Sequence, residues 1–287
     1  MARPDPLDLL GTRQRLAAEL LRLRLDAGLS THQLAQWIGA SQSKVSKIER
    51  ARVAVAIPDV RAWAKATGLS NAPVDQLVAL AERALTDTLT RRTILRHGIP
   101  ANQQRLGDIE RKAGLIREFA PDLIPGLLQT ADYYRQILAS VCLPDTVDPA
   151  AAIAARLDRQ AVLYDEAKQF HFVLTETAVR WRYGSAESHR IQLDRVTTVA
   201  TLPNVHLAVI PQGTVAPVWH SHGFAIFDAL PDETDPLVSM ETLHAVLRTS
   251  EPSDVADYRD TFEQLQRVAL TGEAAIQLIA AVVADLR

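Results

Sequence analysis

The chain contains a single cysteine, Cys142, among 287 residues. That excludes an intrachain disulfide framework and any multi-cysteine metal site. No apolar run approaches the roughly 18 residues that a membrane-spanning helix requires. The opening stretch MARPDPLDLL lacks the basic-then-apolar order of a signal peptide. There is no glycine-rich phosphate loop, nucleophile elbow or catalytic-triad order, which argues against an enzyme and against a bound cofactor. These absences lead to the expectation of a cytoplasmic protein that is not an enzyme.

Positive charge is scarce in most of the chain and concentrated at its front. Residues 1–70 carry 11 Lys/Arg against 6 Asp/Glu, whereas residues 71–287 carry 20 against 28. A basic front joined to an acidic rear implies that only the front meets a polyanion.

Within the front, Leu16, Leu20, Leu23 and Ala27 fall on one helix face ended by Gly28. Ser30 followed by Gln33 is a capping-box signature for a second helix, with Leu34, Ala35 and Ile38 inward. Gly39 supplies the turn, and Ser41 is a natural N-cap for a third helix, SQSKVSKIER. Val45 and Ile48 point inward from that helix and leave Gln42, Ser43, Lys44, Ser46 and Lys47 outside. This is a helix-turn-helix pattern. Its thin apolar edge holds the helix in place, and its polar face suits a DNA major groove, where amides pair with adenine and lysine with guanine. Arg50 and Arg52 follow the helix, where they would sit near phosphates.

The segment GLSTHQLAQWIGASQSKVSKIER resembles the Cro/lambda-repressor (xenobiotic-response-element) family of regulators, and the resemblance spans roughly residues 12–80. It implies an all-α five-helix DNA-binding domain, completed by IPDVRAWAKATGL and NAPVDQLVALAERAL. It also implies that Gln42, Ser43 and Lys47 read bases and that His32 and Arg50 contact phosphates. The chain departs from the family pattern in two places. Ala51 stands where glycine is usual, and Val55-Ala56 replaces the usual Pro-Ser, which points to a tilted loop.

The expected division is residues 1–81 for the DNA-binding domain, 82–112 for a helical connector broken at HGIP, and 113–287 for a regulatory and dimerisation domain. Strands are expected at 170–179, 205–211, 223–229 and 236–242, with helices at 188–202 and 254–269. They assemble into an α+β domain with a small, mainly antiparallel sheet. The ordered segments LIPGLLQTADYYRQIL, RLDRQAVL, VLTETAVRW, LPNVHLAVIPQG, HGFAIFD and DYRDTFEQLQRVAL resemble a domain of unknown function attached to helix-turn-helix regulators of actinomycetes. That resemblance implies an antitoxin-like regulator encoded beside a small, toxin-like partner protein.

Three sets of residues in the rear are candidates for chemistry. His220 and His222 in WHSHG have the alternate spacing of metal ligands, but no third ligand sits at a diagnostic distance. Glu176 and Glu241 lie near strands and are candidates for an acid–base pair, though carboxylates so placed more often flank arginines such as Arg180 and Arg182. Trp181, Tyr183 and Trp219, with His220 and His222, mark a candidate pocket for a small ligand, against the plainer reading of core packing. Cys142 reads as an apolar filler, and Tyr133 and Tyr134 as helix packing. The combined expectation is a transcription regulator that binds an operator in double-stranded DNA as a homodimer and takes a small effector or partner protein at its C-terminal domain. The rivals are an enzyme and a toxin-neutralising interaction module with secondary DNA binding.

Overall fold

The structure is a computed structural model that describes residues 9–69, 72–141, 143–144, 147–230 and 235–286. Cys142 lies outside the described residues. The front is the five-helix bundle α1 (Leu9–Asp26), α2 (Thr31–Ile38), α3 (Gln42–Glu49), α4 (Ile57–Ala66) and α5 (Ala72–Leu85). Leu16, Leu20, Leu34, Val45, Ile48, Val60, Trp63 and Ala81 form its buried core. The Trp63 indole is satisfied inside that core, because its Nε1 donates to the Leu20 carbonyl at 3.1 Å.

After the bundle come β1 (Thr86–Thr90), α6 (Arg91–His97), α7 (Ile99–Lys112) and β2 (Leu115–Ala120). Next are α8 (Ala131–Ser140), α9 (Pro149–Arg159), β3 (Gln169–Thr175), α10 (Glu176–Arg180) and α11 (Ala186–Val199). The chain ends with β4 (Val205–Ile210), β5 (Phe224–Asp228), β6 (Leu237–Glu241), β7 (Ala245–Thr249), α12 (Pro252–Arg267), β8 (Leu270–Thr271) and α13 (Gly272–Asp285).

The strands form an eight-stranded sheet in the order β1-β7-β6-β5-β2-β3-β4-β8. The β2–β3 and β3–β4 pairs are parallel and the others antiparallel. The sheet is therefore mainly antiparallel as expected, but larger. One face carries Ile116, Phe170, Phe172, Leu174, Leu207 and Phe227 into a core shared with α11 and α13. The other carries Phe119, Val173, Ile226, Val238 and Met240 against Phe262 and Leu265 of α12.

Two expectations need correction. The segment 82–112 is not a helical connector: Thr86–Thr90 pairs with Ala245–Thr249 as an edge strand, and α7 ends directly ahead of the central strand β2. The alternation of β-branched threonines in TDTLT is the period-two signal that a helical reading overlooks. β2 is also absent from the expected strands, because LIREFA places Arg117 and Glu118 mid-strand, where an interior strand is expected to be apolar.

Candidate nucleic-acid interface

Local chemistry fixes the recognition unit. Ser30 caps α2 by accepting from the Gln33 amide at 3.2 Å, and the Gln33 side chain accepts from the Ser30 amide at 2.9 Å. These two bonds satisfy donors that a helix start leaves orphaned. Gly39 then adopts φ +67°, so the chain can reverse into α3, whose first amides are capped by Ser41 through Lys44 N at 3.1 Å.

At the other end of α3, Ala51 takes φ +56°, the left-handed conformation that glycine adopts at little cost. Its amide donates to the Ile48 carbonyl at 2.9 Å, and the Arg52 amide donates to Lys47 at 2.9 Å. Together these bonds make a Schellman closure. The helix end closes without the glycine, and the departure from the family pattern appears as a left-handed backbone at one alanine.

A buried ion pair anchors α3 to α1. Arg24 Nε lies 2.5 Å and Nη2 3.0 Å from the two oxygens of Glu49, and Arg24 Nη1 donates to the Leu29 carbonyl at 2.8 Å. Both side chains are less than a tenth exposed. The pair is bidentate and hydrogen-bonded at every edge the pair presents, the condition under which a buried charge pair is tolerated. Its partners raise the Arg24 pKa further.

Across the exposed face, Gln42, Ser43, Lys44 and Arg50 are solvent-exposed and Ser46, Lys47 and Arg52 half-buried. Gln42 Nε2 donates to Thr31 Oγ1 at 3.0 Å, which pre-positions an amide at the helix start. His32 is exposed on α2 and its ring nitrogen lies 3.2 Å from Gln36 Nε2. Lys44 is drawn aside, with its Nζ 2.6 Å from Asp59 Oδ2 of α4. As placed, its ammonium braces the bundle rather than projecting into a groove.

The acidic domain reaches this surface. A groove beside the start of α3 is lined by Ser43, Lys47 and Ala54 on one side and by Asp235, Glu251 and Pro252 on the other. The Asp235 carboxylate accepts from the Ala54 amide, and Arg13 of α1 donates to Ser250 Oγ. Burial pushes the Asp235 pKa up while the Ala54 amide and Arg13 hold it down. The sequence offered no signal for these contacts, since they join residues about 180 and 237 positions apart.

The aromatic and histidine residues proposed for a ligand pocket are not brought together as one site. Trp181 and Trp219 are 56% and 83% exposed. Tyr183 packs edge-on against buried Tyr133, whereas His220 packs on Phe119 and His222 Nε2 meets Tyr258 Oη at 3.1 Å. Phe119 and Tyr258 belong to the α12 side of the sheet and Tyr133 to the opposite core, so the sheet separates the two groups. Glu176 is occupied by Arg180 Nε at 2.6 Å and by the Gln212 amide at 2.8 Å, and does not face Glu241. Among the described residues, no group of three or more His, Cys, Asp or Glu side chains is placed to hold a metal ion. Likewise, no helix there is long and apolar enough to cross a membrane.

Comparison with known proteins matches these two halves. Residues 15–77 match the helix-turn-helix domain family, and residues 103–281 match the domain of unknown function DUF5753. The second match covers more than half of the chain, which therefore belongs to that family and carries a helix-turn-helix DNA-binding domain in front of it. No curated protein matches. Among solved structures, NucT from Helicobacter pylori is similar at 10% identity and TM-score 0.36, over 65% of this chain and 98% of its own. TrmBL2, an archaeal chromatin protein, is similar at 13% identity and TM-score 0.33, over 66% of this chain and 53% of its own.

Proposed function

We propose that this protein is a sequence-specific transcription regulator that binds its operator as a homodimer through α3. Its C-terminal domain receives a small effector or a small partner protein, as in an antitoxin-like pair; the protein is cytoplasmic and is not an enzyme. The reading rests above all on the exposed polar face of α3, held rigid by its Ser41 cap and the Arg24–Glu49 pair. Gln42, Ser43 and Lys47 stand along that face as base readers, while Arg50, Arg52 and His32 flank it for phosphate contacts. A single recognition helix covers too few base pairs for genomic specificity, which is the argument for two copies on half-sites about 34 Å apart. The acidic C-terminal domain adds repulsion rather than affinity for DNA, so its task lies elsewhere. Selection of bound duplexes from a random pool, followed by footprinting and mass determination of the complex, tests the reading. A two-fold site occupied by two copies supports it; one short unpaired site occupied by a monomer removes the dimer, and absence of any selected sequence removes operator reading.

A further inference from the structure

The interior of the C-terminal domain holds a group of polar side chains that the DNA-binding function does not use. α9 turns Arg156 and Arg159 inward, α7 supplies Gln103 and Glu110 from one face, and β2 supplies Glu118 from the sheet below. Arg159, Glu110 and Gln103 are each no more than 6% exposed. Arg159 Nη1 lies 3.3 Å from Glu110 Oε1, yet Arg159 Nε and Nη1, Arg156 Nε, Glu110 Oε2 and Gln103 Oε1 have no hydrogen-bond partner among the described residues. Each such orphan costs free energy, and five on side chains of the same two helices call for an explanation.

The surroundings are shaped as well as polar. Register places Glu118, Ala225, Ser239 and Arg248 in one row across the sheet face that carries Ile116 and Phe227. Their strands are interior to the sheet, yet all four residues are only half-buried. Ala225 and Ser239 are small, so little side-chain volume stands between Glu118 and Arg248 in that row. Glu118 and Arg156 keep some contact with water although protein surrounds them closely, as expected of the walls of a recess. Arg156 is held by Gln129 Oε1 at 2.6 Å and lies 3.7 Å over the Tyr134 ring. Gly126 admits both guanidinium groups, because a Cβ there would stand 2.5 Å from Arg159 Nη2 and 3.1 Å from Arg156 Nη1.

We infer that this recess between α7, α9 and the β2–β5–β6 floor binds a small zwitterion of amino-acid type, with its carboxylate on Arg156 and Arg159 and its ammonium on Glu118 and Glu110. The charge pattern selects the class. A plain anion would have to approach Glu110, Glu118 and Glu241, and a plain cation would have to approach two arginines; only a ligand with both charges meets complementary groups at each end. Burial raises Glu118 and Glu110 to about 7, so each carboxyl gains from an ammonium neighbour. Perturbed groups of this kind concentrate at binding sites.

The floor also leads to the DNA-binding domain. Asp235, which accepts from Ala54, lies two residues before β6, and Ser250, which accepts from Arg13, follows β7. A ligand that shifts these strands thereby acts on two polar ties between the bundle and the sheet domain, which is how the proposed effector role would be exercised. This last step rests on the regulator reading; the site itself does not.

Thermal melting and calorimetry of the full chain with the common α-amino acids, alongside carboxylate-only and amine-only analogues, test the site. The expected result is a saturable, millimolar-or-tighter response to at least one amino acid, since binding to the native state raises its melting point. Removing either charge from that ligand should weaken binding by about tenfold or more. Glu118→Gln and Arg156→Lys should each weaken binding by a similar factor while melting as cooperatively as the parent. The proposal is overturned if no amino acid binds, if single-charge analogues bind as well, or if both variants bind with unchanged affinity. Operator binding measured on the same samples keeps the outcomes apart: its loss in the parent protein would count against the regulator, not against the site.

Discussion

Among the described residues, a buried arginine–glutamate pair holds helices together in each half, and the two are built differently. In the front, Arg24 and Glu49 meet at 2.5 and 3.0 Å with a further bond to Leu29, and no atom of either lacks a partner. In the rear, Arg159 and Glu110 approach only to 3.3 Å and leave Arg159 Nε and Glu110 Oε2 unsatisfied. Low exposure in both with unequal satisfaction separates two uses of charge. The first pair closes on itself and serves as a brace; the second is incomplete within the chain, as a binding site is before it meets its ligand.

The largest expected effect breaks the closed pair. Glu49→Ala leaves a buried guanidinium without its counter-ion and should cost about 3–5 kcal/mol of the front domain's stability. Urea unfolding followed by Trp63 and a sheet-domain probe should show the front melting first; a loss under about 1 kcal/mol would mean that the brace is ornamental.

The open cluster should respond in the opposite sense. Glu118 is raised from 4.5 to about 7, so the folded protein binds more protons than the unfolded chain between those values. Its contribution to stability is present below 4.5 and declines as pH rises to about 7. Glu118→Gln removes that penalty and should stabilise the empty protein by roughly 1–3 kcal/mol above neutrality, with little gain below pH 4.5. Denaturant titrations across this range check it, and a pH-independent difference would show that the carboxyl is not held out of its ordinary range.

Lys47→Ala sharpens the comparison on the DNA side. It should cost about 1–3 kcal/mol at one operator base pair, read from a panel of operator variants. An equal loss on every duplex would reassign Lys47 to phosphate contact. The smallest effect is expected at Ala51, whose φ of +56° favours glycine. Ala51→Gly should stabilise the front domain by about 0.5–1 kcal/mol in thermal melts; destabilisation would show that the alanine side chain contributes more than its strain costs.

The two halves also differed in how far they could be read from sequence. The helix-turn-helix was legible because its signals are local: Ser30 with Gln33, Gly39, Ser41, and the Val45–Ile48 spacing all lie within one turn or two of what they govern. The expected strand starts at 170, 205 and 223 lie within one residue of those of β3, β4 and β5, and were legible for the same reason. What failed were judgements that needed partners. Nothing local marks Arg156 and Arg159 as buried, yet Arg159 meets Glu110 of α7 and Arg156 lies over the Tyr134 ring of α8. Glu118 made LIREFA look unlike an interior strand, although it is one, and the charge that hid the strand is the charge that marks the proposed site. The separation of Tyr183 from His220 and His222 followed from the sheet between them, which no spacing along the chain records.

By itself, then, the sequence determined the bundle that faces DNA, its caps and turns, and the basic-to-acidic change along the chain, because each is set by neighbours a few residues apart. The tertiary structure alone decided that residues 86–90 close the sheet beside β7, that Asp235 meets Ala54, and that Gln103, Glu110, Glu118, Arg156 and Arg159 converge. Those outcomes depend on strand order and on helices packed across the sheet, and a polar side chain shows whether it is solvated, paired or waiting for a ligand only when its distant neighbours are in place.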